Sequence, residues 1–517
     1  MMSCSSSSDK TAAEILGNPE YLAMSYGGYR EKTRKNVPSV ADLKQDMKIL
    51  SAMGIRVIRT YNTQQFAQAE HILKAIRELK EESPSFEMYV MLGAWIDCKG
   101  AWTDNRNHTE EHLENNTKEI EAAVTMANEY PDIVKMIAVG NEAMVHWASS
   151  YFIHPKFILK WVNYLQNLKK EGKLSKDVWI TSSDNHASWG SEKAYRTDDL
   201  QALMKAVDFI SLHTYPFHDT HYNSAFWLVP ENEEALSEEQ KTDAAIQRAV
   251  DYAKMQYQNV AGYVESLGIK KPIHIGETGW ATKAATHYGS NGSHAADELK
   301  EKLYYEQLRK WTNGAGISLF YFEAFDEQWK DAGHPLGSEN HFGLIKLNGE
   351  AKYALWDMVD AGAFEGLMRS GKKITKTYGG DKAKLMEEVL APLGVNEVSI
   401  TELKTTNGKR KLGEPVTEQT LVVYNPSVVP NENNNTTYPS IVTKLNTWEG
   451  SCMMELKAKG AIEVHTGTGN WWGCALQVLG DGRGENLSEF ENGYLNFDLK
   501  GETQAIVKVG FKTGQFS

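Results

Sequence analysis

The sequence predicts a (β/α)8 barrel followed by a smaller all-β domain, and three observations predict it. Eight short apolar runs alternate with eight segments of helical period between residues 22 and 361. The fourth and seventh runs each break at a glutamate beside glycine, in Gly140-Asn141-Glu142 and Gly276-Glu277-Thr278-Gly279. From about Val398 the texture changes to short alternating runs separated by Gly, Asn and Pro.

Taken in order, Leu22 to Tyr26 reads as a strand ending in Gly27-Gly28, and Val40 to Met53 as an amphipathic helix with Leu43, Met47 and Leu50 on one face and Gly54 closing it. Val57 to Tyr61 precedes a helix near Gln65 to Glu82, and Met88 to Trp95 precedes Glu110 to Tyr130. Met136 to Glu142 leads to the helix Pro155 to Glu171, Val178 to Ser183 to Thr197–Ala206, and Phe209 to Tyr215 to Glu238–Leu267. Pro272 blocks helix ahead of Ile273 to Gly279, which leads to Ala295–Asn313. Ser318 to Phe325 and a helix near Glu350 to Ala361 complete the eighth unit. Strands that alternate singly with helices require a parallel sheet, and eight such units close it into a barrel. A doubly wound open sheet is the rival; it would carry a glycine-rich phosphate loop after its first strand, which Gly27-Gly28 does not supply.

Barrel enzymes build their sites at the carboxyl ends of the strands, so Glu142 and Glu277 are the candidate catalytic pair. Strands about 4.8 Å apart and tilted by about 36° give a radius of about 7–8 Å, so Cα atoms three strands apart lie about 14 Å from each other. Each side chain reaches inward by about 4 Å, which leaves the carboxyls about 6 Å apart, near the spacing of retaining glycosidases and close to the inverting range.

Composition narrows the partners. The 517 residues carry a net charge of −13 without a basic stripe, so nucleic acid is excluded as a partner and a neutral ligand is favoured. With 41% hydrophobic residues the chain can bury a large core. Trp95, Trp102, Trp147, Trp189, Tyr215, Phe226, Trp227, Trp280 and Trp329 all fall at or just after strand ends; some are expected on sugar faces, the rest in packing under loops. Four cysteines make no disulfide scaffold or zinc pattern, and only Cys452 with Cys474 is a candidate pair. His213, His218 and His221 match no metal motif, and no cofactor is expected. No nucleophile elbow, phosphate loop or His-Glu-x-x-His helix occurs.

The barrel resembles glycoside hydrolase family 17, the retaining β-1,3-glucanases and related glucanosyltransferases. The resemblance covers roughly residues 20 to 365. It rests on Val57-Ile58-Arg59-Thr60-Tyr61, Gly140-Asn141-Glu142, His213-Thr214-Tyr215-Pro216-Phe217, Gly276-Glu277-Thr278-Gly279-Trp280 and Ala324-Phe325-Asp326-Glu327-Gln328-Trp329-Lys330. It implies Glu142 as general acid/base and Glu277 as nucleophile, with Asn141 and Tyr215 close to sugar and nucleophile, and with supporting roles for Arg59, Tyr61, Glu327 and Lys330. Trp280 is a further candidate sugar contact. The segment from Phe217 to Glu238 and the helix after it are enlarged relative to the family. The expected activity is double-displacement hydrolysis of a β-1,3-glucan such as laminarin. Glucanosyl transfer would use the same residues, and a non-catalytic glucan-binding surface protein is the reading from a different class.

The expected division is an N-terminal tether over 1–19, the barrel over 20–365, a linking segment with some helical pattern over 366–395, and an all-β accessory domain over 396–517. Ser3-Cys4 followed by Ser5 to Ser8 and Asp9 looks like the tail of a bacterial lipoprotein signal, with a lipidated Cys4 and an extracytoplasmic place at the cell surface; a frayed terminus is the equal alternative. A monomer is expected. Leu421–Tyr424, Ile441–Leu445, Ile462–His465, Leu495–Leu499 and Ile506–Phe511 read as strands. Together with Trp471-Trp472-Gly473 they resemble carbohydrate-binding jelly rolls, either compact or incomplete, against the simpler reading of a structural β module.

Overall fold

The computed structural model describes residues 10–284, 287–290, 292–395, 444–447, 452–456, 462–466 and 473–477. Two compact units divide the chain, Met1–Leu393 and Gly394–Ser517.

In the first unit a short helix α1 (Ala12–Ile15) precedes β1 (Leu22–Ser25), α2 (Val40–Ala52), β2 (Ile55–Arg59), α3 (Gln68–Glu82) and β3 (Tyr89–Ala94). A two-stranded excursion, β4 (Cys98–Lys99) with β5 (Asn107–Glu111), comes before α4 (Leu113–Glu129), β6 (Val134–Asn141) and α5 (Pro155–Lys170). Next are β7 (Trp179–Asn185), α6 (Asp198–Ala206), β8 (Ile210–His213), α7 (Pro216–Tyr222), α8 (Glu238–Ser266), β9 (Ile273–Gly279), α9 (Glu298–Gly314) and β10 (Leu319–Phe322). The strands close in the order β1-β10-β9-β8-β7-β6-β3-β2, with parallel pairing at every step. The predicted (β/α)8 barrel is therefore the observed one.

The period-2 pattern of the strands sorts side chains between two cores. Outward residues such as Ile58, Val90 and Ile137 meet the apolar stripes of the helices, for example Ile72, Ile76 and Leu79 of α3. Inward residues at the amino-terminal end, Val57, Met91, Met136, Phe209 and Phe320, form a separate apolar cluster that Ala12, Ile15 and Leu16 plug from below. Higher in the barrel the inward positions turn polar, with Arg59, Ser183, Ser211 and His213 all buried. Gly276 belongs to this level, where a Cβ would lie 1.9 Å from the Ser211 hydroxyl and 2.6 Å from that of Ser183.

Several elements differ from expectation. The N-terminal tether is shorter than 1–19, because α1 is part of the barrel floor. The helix expected from Glu110 starts at Leu113, since Asn107–Glu111 pairs with Cys98–Lys99 instead. The last helix shrinks to α10 (Trp356–Asp360), because Glu350–Ala351 is drawn into a short strand (β11). The segment taken as a linker is built onto the first unit. It contains β12 (Met368–Arg369), β13 (Lys372–Lys373), β14 (Thr375–Lys376, paired with β11) and α11 (Lys382–Met386). Lys300 Nζ donates to the Leu390 carbonyl at 2.7 Å and the Val229 amide to that of Leu393 at 3.0 Å.

In the second unit, β15 (Lys444–Thr447) pairs antiparallel with β18 (Cys474–Gln477), and β16 (Cys452–Leu456) with β17 (Ile462–Thr466). Two of these match expected strands; Leu421–Tyr424, Leu495–Leu499, Ile506–Phe511, Trp471 and Trp472 lie outside the described residues, as does Cys4. Cys452 and Cys474 are free thiols, and Cys452 Sγ contacts the Gly473 carbonyl at 3.3 Å.

Within the first unit, one buried ion cluster ties its early and late parts together. Asp46, on α2 and fully buried, accepts from Arg30 at 2.7 Å, from the Tyr26 hydroxyl at 2.9 Å and from Arg369 at 3.0 Å. Arg369 is itself fully buried. Removing the carboxylate leaves the buried Arg369 without its counter-charge, while Arg30 keeps Asp42 at 3.2 Å, so Asp46→Ala is expected to lower stability by about 3–5 kcal/mol, read as a lower urea midpoint. A midpoint equal to wild type would show that water reaches the cluster.

Candidate active site

Glu142 and Glu277 both come to the carboxyl end of the barrel, on β6 and β9. The chain turns sharply to present the first of them. Gly140 has φ 82°, where any side chain is strained, and its Cβ would meet that of Ala143 at 2.9 Å. Glu142 itself takes φ 45°, a left-handed conformation that a non-glycine residue adopts only when its surroundings hold it there. Its amide donates to the Ser183 carbonyl at 2.9 Å. The next turn is fixed by Asp184, which accepts from the Met144 amide at 2.8 Å and the Ser188 hydroxyl at 2.6 Å; burial pushes its carboxyl up to about 6 against those hydrogen bonds.

Glu277 is gripped on both oxygens. Oε2 accepts from Arg59 Nη1 at 2.7 Å and the Tyr61 hydroxyl at 2.8 Å, and Oε1 from the Tyr215 hydroxyl at 2.5 Å. Burial acts to raise its pKa; against it, the Arg59 charge and the hydrogen bonds from the two phenols favour the ionised form, and the carboxyl is held below the usual carboxylate range. The phenols pay the opposite shift, pushed far up by burial and by the Glu277 charge. Glu277 is thus an ionised carboxylate with a lone pair of Oε1 left over.

Donor counting fixes the groups between the two glutamates. A guanidinium can only donate. Arg59 Nη2 lies 2.5 Å from Asn141 Oδ1, which turns the Asn141 amide nitrogen outward. Arg59 Nη1 lies 3.1 Å from His213 Nε2, so that nitrogen accepts and the ring proton sits on Nδ1. Nδ1 is 3.1 Å from Glu142 Oε1 and donates to it, leaving Oε2 of Glu142 free for a proton of its own. The Glu142 side chain is 24% exposed against 10% for Glu277, so the former has the route to solvent that a proton relay needs.

Glu327 and Lys330 stand at the end of β10. Lys330 Nζ is 3.7 Å from Glu327 and 3.3 Å from Glu323, and Glu327 accepts from the Tyr29 amide at 3.4 Å. Burial raises the Glu323 carboxyl well above its ordinary range, against the opposing Lys330 charge.

Of the residues expected at the site, Arg59, Tyr61, Asn141, Glu142, Tyr215 and Glu277 meet directly or through one partner. Trp280 does not. It is fully buried, its indole donates to the Ala295 carbonyl at 2.8 Å, and Trp227 and Tyr304 pack on it, so it supports the loop rather than facing the cleft. Trp189 and Trp227 are likewise fully buried, with their indoles on carbonyls of Ser211 and Ser293. His218 faces Tyr288 and His221 faces His287, both apart from His213, so the three histidines share no centre. His213, Ser183 and Asp184 are the site residues that sequence reading missed. The signals for His213 were its place at a strand end and at the head of the motif that carries Tyr215.

Residues 417–517 match carbohydrate binding domain 30. A glucan 1,3-beta-glucosidase of Arthroderma benhamiae is 28% identical over 328 residues, 60% of this chain and 83% of that protein. A probable glucan endo-1,3-beta-glucosidase of Aspergillus terreus is 23% identical over 57% of this chain, which spans only 38% of that longer protein. Among solved structures, an endo-laminarinase from Formosa Hel1_33_131 is 60% identical, with a TM-score of 0.74, and the match covers 74% of this chain and 98% of that one. Residues 23–343 match the BtgE/BtgC glycoside hydrolase domain, and with its two strand-end glutamates set in a closed barrel the chain belongs to that family of glycoside hydrolases.

Proposed function

We propose that this enzyme cleaves β-1,3-glucan of the laminarin type by double displacement, with Glu277 as nucleophile and Glu142 as general acid/base. The observation that carries the reading is the asymmetry of the pair. One carboxylate is locked ionised by Arg59, Tyr61 and Tyr215, and the other is held by a single histidine hydrogen bond with an oxygen to spare.

In the first step Oε1 of Glu277 attacks the anomeric carbon, and the glycosidic C–O bond breaks as Glu142 gives its proton to the departing oxygen. In the second step Glu142, now a carboxylate, takes a proton from water. The water oxygen displaces Glu277 from the anomeric carbon, so configuration is retained overall. The outward amide nitrogen of Asn141 is placed to donate to a ring hydroxyl of the bound sugar. Lys330 with Glu327 bounds the cleft at the β10 end, and no step calls for a metal. Glucanosyl transfer differs only in the acceptor of the second step, a sugar hydroxyl in place of water.

The same reading takes the C-terminal unit as a glucan-binding module, with domain limits as expected from sequence except that 366–393 joins the barrel and the tether ends before α1. It places the enzyme outside the cytoplasm, where a polysaccharide is met, working as a monomer and anchored through Cys4. No described helix is long and apolar enough to cross a membrane.

Incubation with laminarin, followed by product sizing and NMR of the newly formed anomeric centre, tests the proposal; the expected products are short oligosaccharides of β configuration. Elongated products from a defined oligosaccharide would establish transfer, and α products would rule out the roles given to both glutamates. Glu277→Ala is expected to abolish turnover of every substrate. Glu142→Ala is expected to lose about 10²–10⁴-fold on laminarin while keeping near-normal formation of the glycosyl-enzyme from a dinitrophenyl laminaribioside, whose leaving group needs no proton. Equal losses on both substrates would remove Glu142 from the acid role.

The acid limb of the kcat/KM profile should fall below the pH at which an ordinary glutamate titrates, since it reports ionisation of Glu277. Tyr215→Phe removes a hydrogen bond that favours the charged form, so that limb is expected to move upward in pH. An unmoved limb would show that another group sets it.

A further inference from the structure

An aromatic stack at the barrel mouth, on the Glu142 side, takes no part in the chemistry just described. Trp95 follows β3 directly, Trp102 lies between β4 and β5, and Tyr151 sits in the connection from β6 to α5. The Trp95 and Tyr151 ring centroids are 4.9 Å apart, those of Trp102 and Tyr151 5.0 Å apart with planes 24° from parallel, and those of Trp95 and Trp102 6.3 Å apart.

Core packing does not account for it. Trp102 is 63% exposed, and its backbone is held at φ 65°, a conformation that costs a non-glycine residue about 1–2 kcal/mol. The surroundings enforce that arrangement. The Trp102 amide donates to the Ser150 carbonyl at 2.8 Å and the Cys98 amide to the Tyr151 carbonyl at 3.1 Å, which clamps the β4–β5 excursion onto the β6–α5 connection. That connection is in turn pinned beside Glu142, where the Ile153 amide donates to the Ala143 carbonyl at 2.6 Å. Trp147, in the same connection, is 54% exposed.

Continuity and charge decide what the stack would hold. Around the barrel, β9, β8, β7, β6 and β3 follow one another, so Glu277, His213, Glu142 and Trp95 stand in sequence along one arc of the rim. The inner ring of the stack lies within the field of the carboxylates: burial and the charges of Glu142, Asp184 and Glu277 drive the Tyr151 phenol far above its usual pKa. At the outer end Lys99 and Glu110 pair at 2.7 Å, and Arg106, in the same excursion as Asp104, donates to the Thr103 carbonyl at 3.0 Å. The stacked rings give a flat apolar face continuous with a glycosidase centre, which suits the C–H face of a neutral pyranose.

We infer that Trp102, backed by Tyr151 and Trp95, is a distal subsite that stacks on a glucose ring of the same β-glucan chain whose bond is cut between Glu142 and Glu277. This rests on the proposed glucanase activity. The subsite would be filled only by chains long enough to pass Glu142 and reach the rim.

The test is the kinetics of the full-length Trp102→Ala enzyme on laminaritriose and laminarihexaose. The expected result is a KM for the hexaose raised about tenfold, with kcat at saturation kept and the triose little affected. Trp102→Phe, which keeps a flat face, should recover most of the hexaose KM. An unchanged hexaose KM, or an equal loss on both substrates, would overturn the subsite. A wild-type enzyme that cleaves neither would overturn the glucanase reading, and the subsite with it. Equal thermal midpoints for the variants and wild type would show that the clamp survives the substitutions.

Discussion

The site depends on one buried cation. Arg59 points into the barrel with about 1% of its side chain exposed, and it spends its guanidinium on Glu277, Asn141, His213 and the Gly276 carbonyl. A buried guanidinium without a counter-charge is strongly unfavourable, so Arg59 and Glu277 require each other in the ionised state. The arrangement also orders its neighbours. Because Arg59 has donors and no acceptors, it dictates which end of Asn141 and which nitrogen of His213 faces it. That in turn sets what both side chains offer to Glu142 and to a sugar. A single donor-only group therefore fixes the protonation of one glutamate and the hydrogen-bond surroundings of the other.

The barrel bears the cost of this by dividing its interior along its axis. At the floor, Val57, Met91, Met136, Phe209 and Phe320 pack against the α1 plug as an ordinary apolar core. One step up each strand, the inward positions become Arg59, Ser183, Ser211 and His213. The serines are small enough to leave room for the guanidinium, and their hydroxyls bond to each other at 2.7 Å. Gly276 is part of the same fit, because a side chain there would displace both serines. The polar layer is tolerable because its charges pair and a solid floor lies beneath it; an apolar layer at this height would give Glu277 no reason to ionise.

Much of this was legible in the sequence, and the exceptions share a cause. The eight strands could be read because alternating apolar runs report a local period, and Glu142 and Glu277 because each breaks such a run at glycine. Arg59, Tyr61 and Tyr215 were legible through motif resemblance. His213 heads the same motif as Tyr215, but its role was not legible, since it exists only because barrel closure sets β8 between β6 and β9. Trp280 was misplaced for a related reason: position after a strand end does not reveal which way an indole turns, and this one turns to Ala295 under the loop. The pairing of Asn107–Glu111 with Cys98–Lys99 was hidden by a polar segment with no alternation, which reads as well as the start of a helix. Arg369 carried no local sign at all that it would lie against Asp46, 323 residues away.

The centre of the site and its rim are held in different ways. The central groups constrain one another tightly: moving Asn141 disturbs Arg59, and moving Arg59 disturbs Glu277 and His213. The excursion that carries Trp102 is held by backbone amides and carbonyls to Ser150 and Tyr151, which fix its path without prescribing the side chains it displays. Rim aromatics can therefore change with little effect on the carboxylates, although they lie beside them. Physics of this kind separates how a bond is cut from which chain is brought to be cut, and it assigns the first to the strand ends and the second to the loops clamped above them.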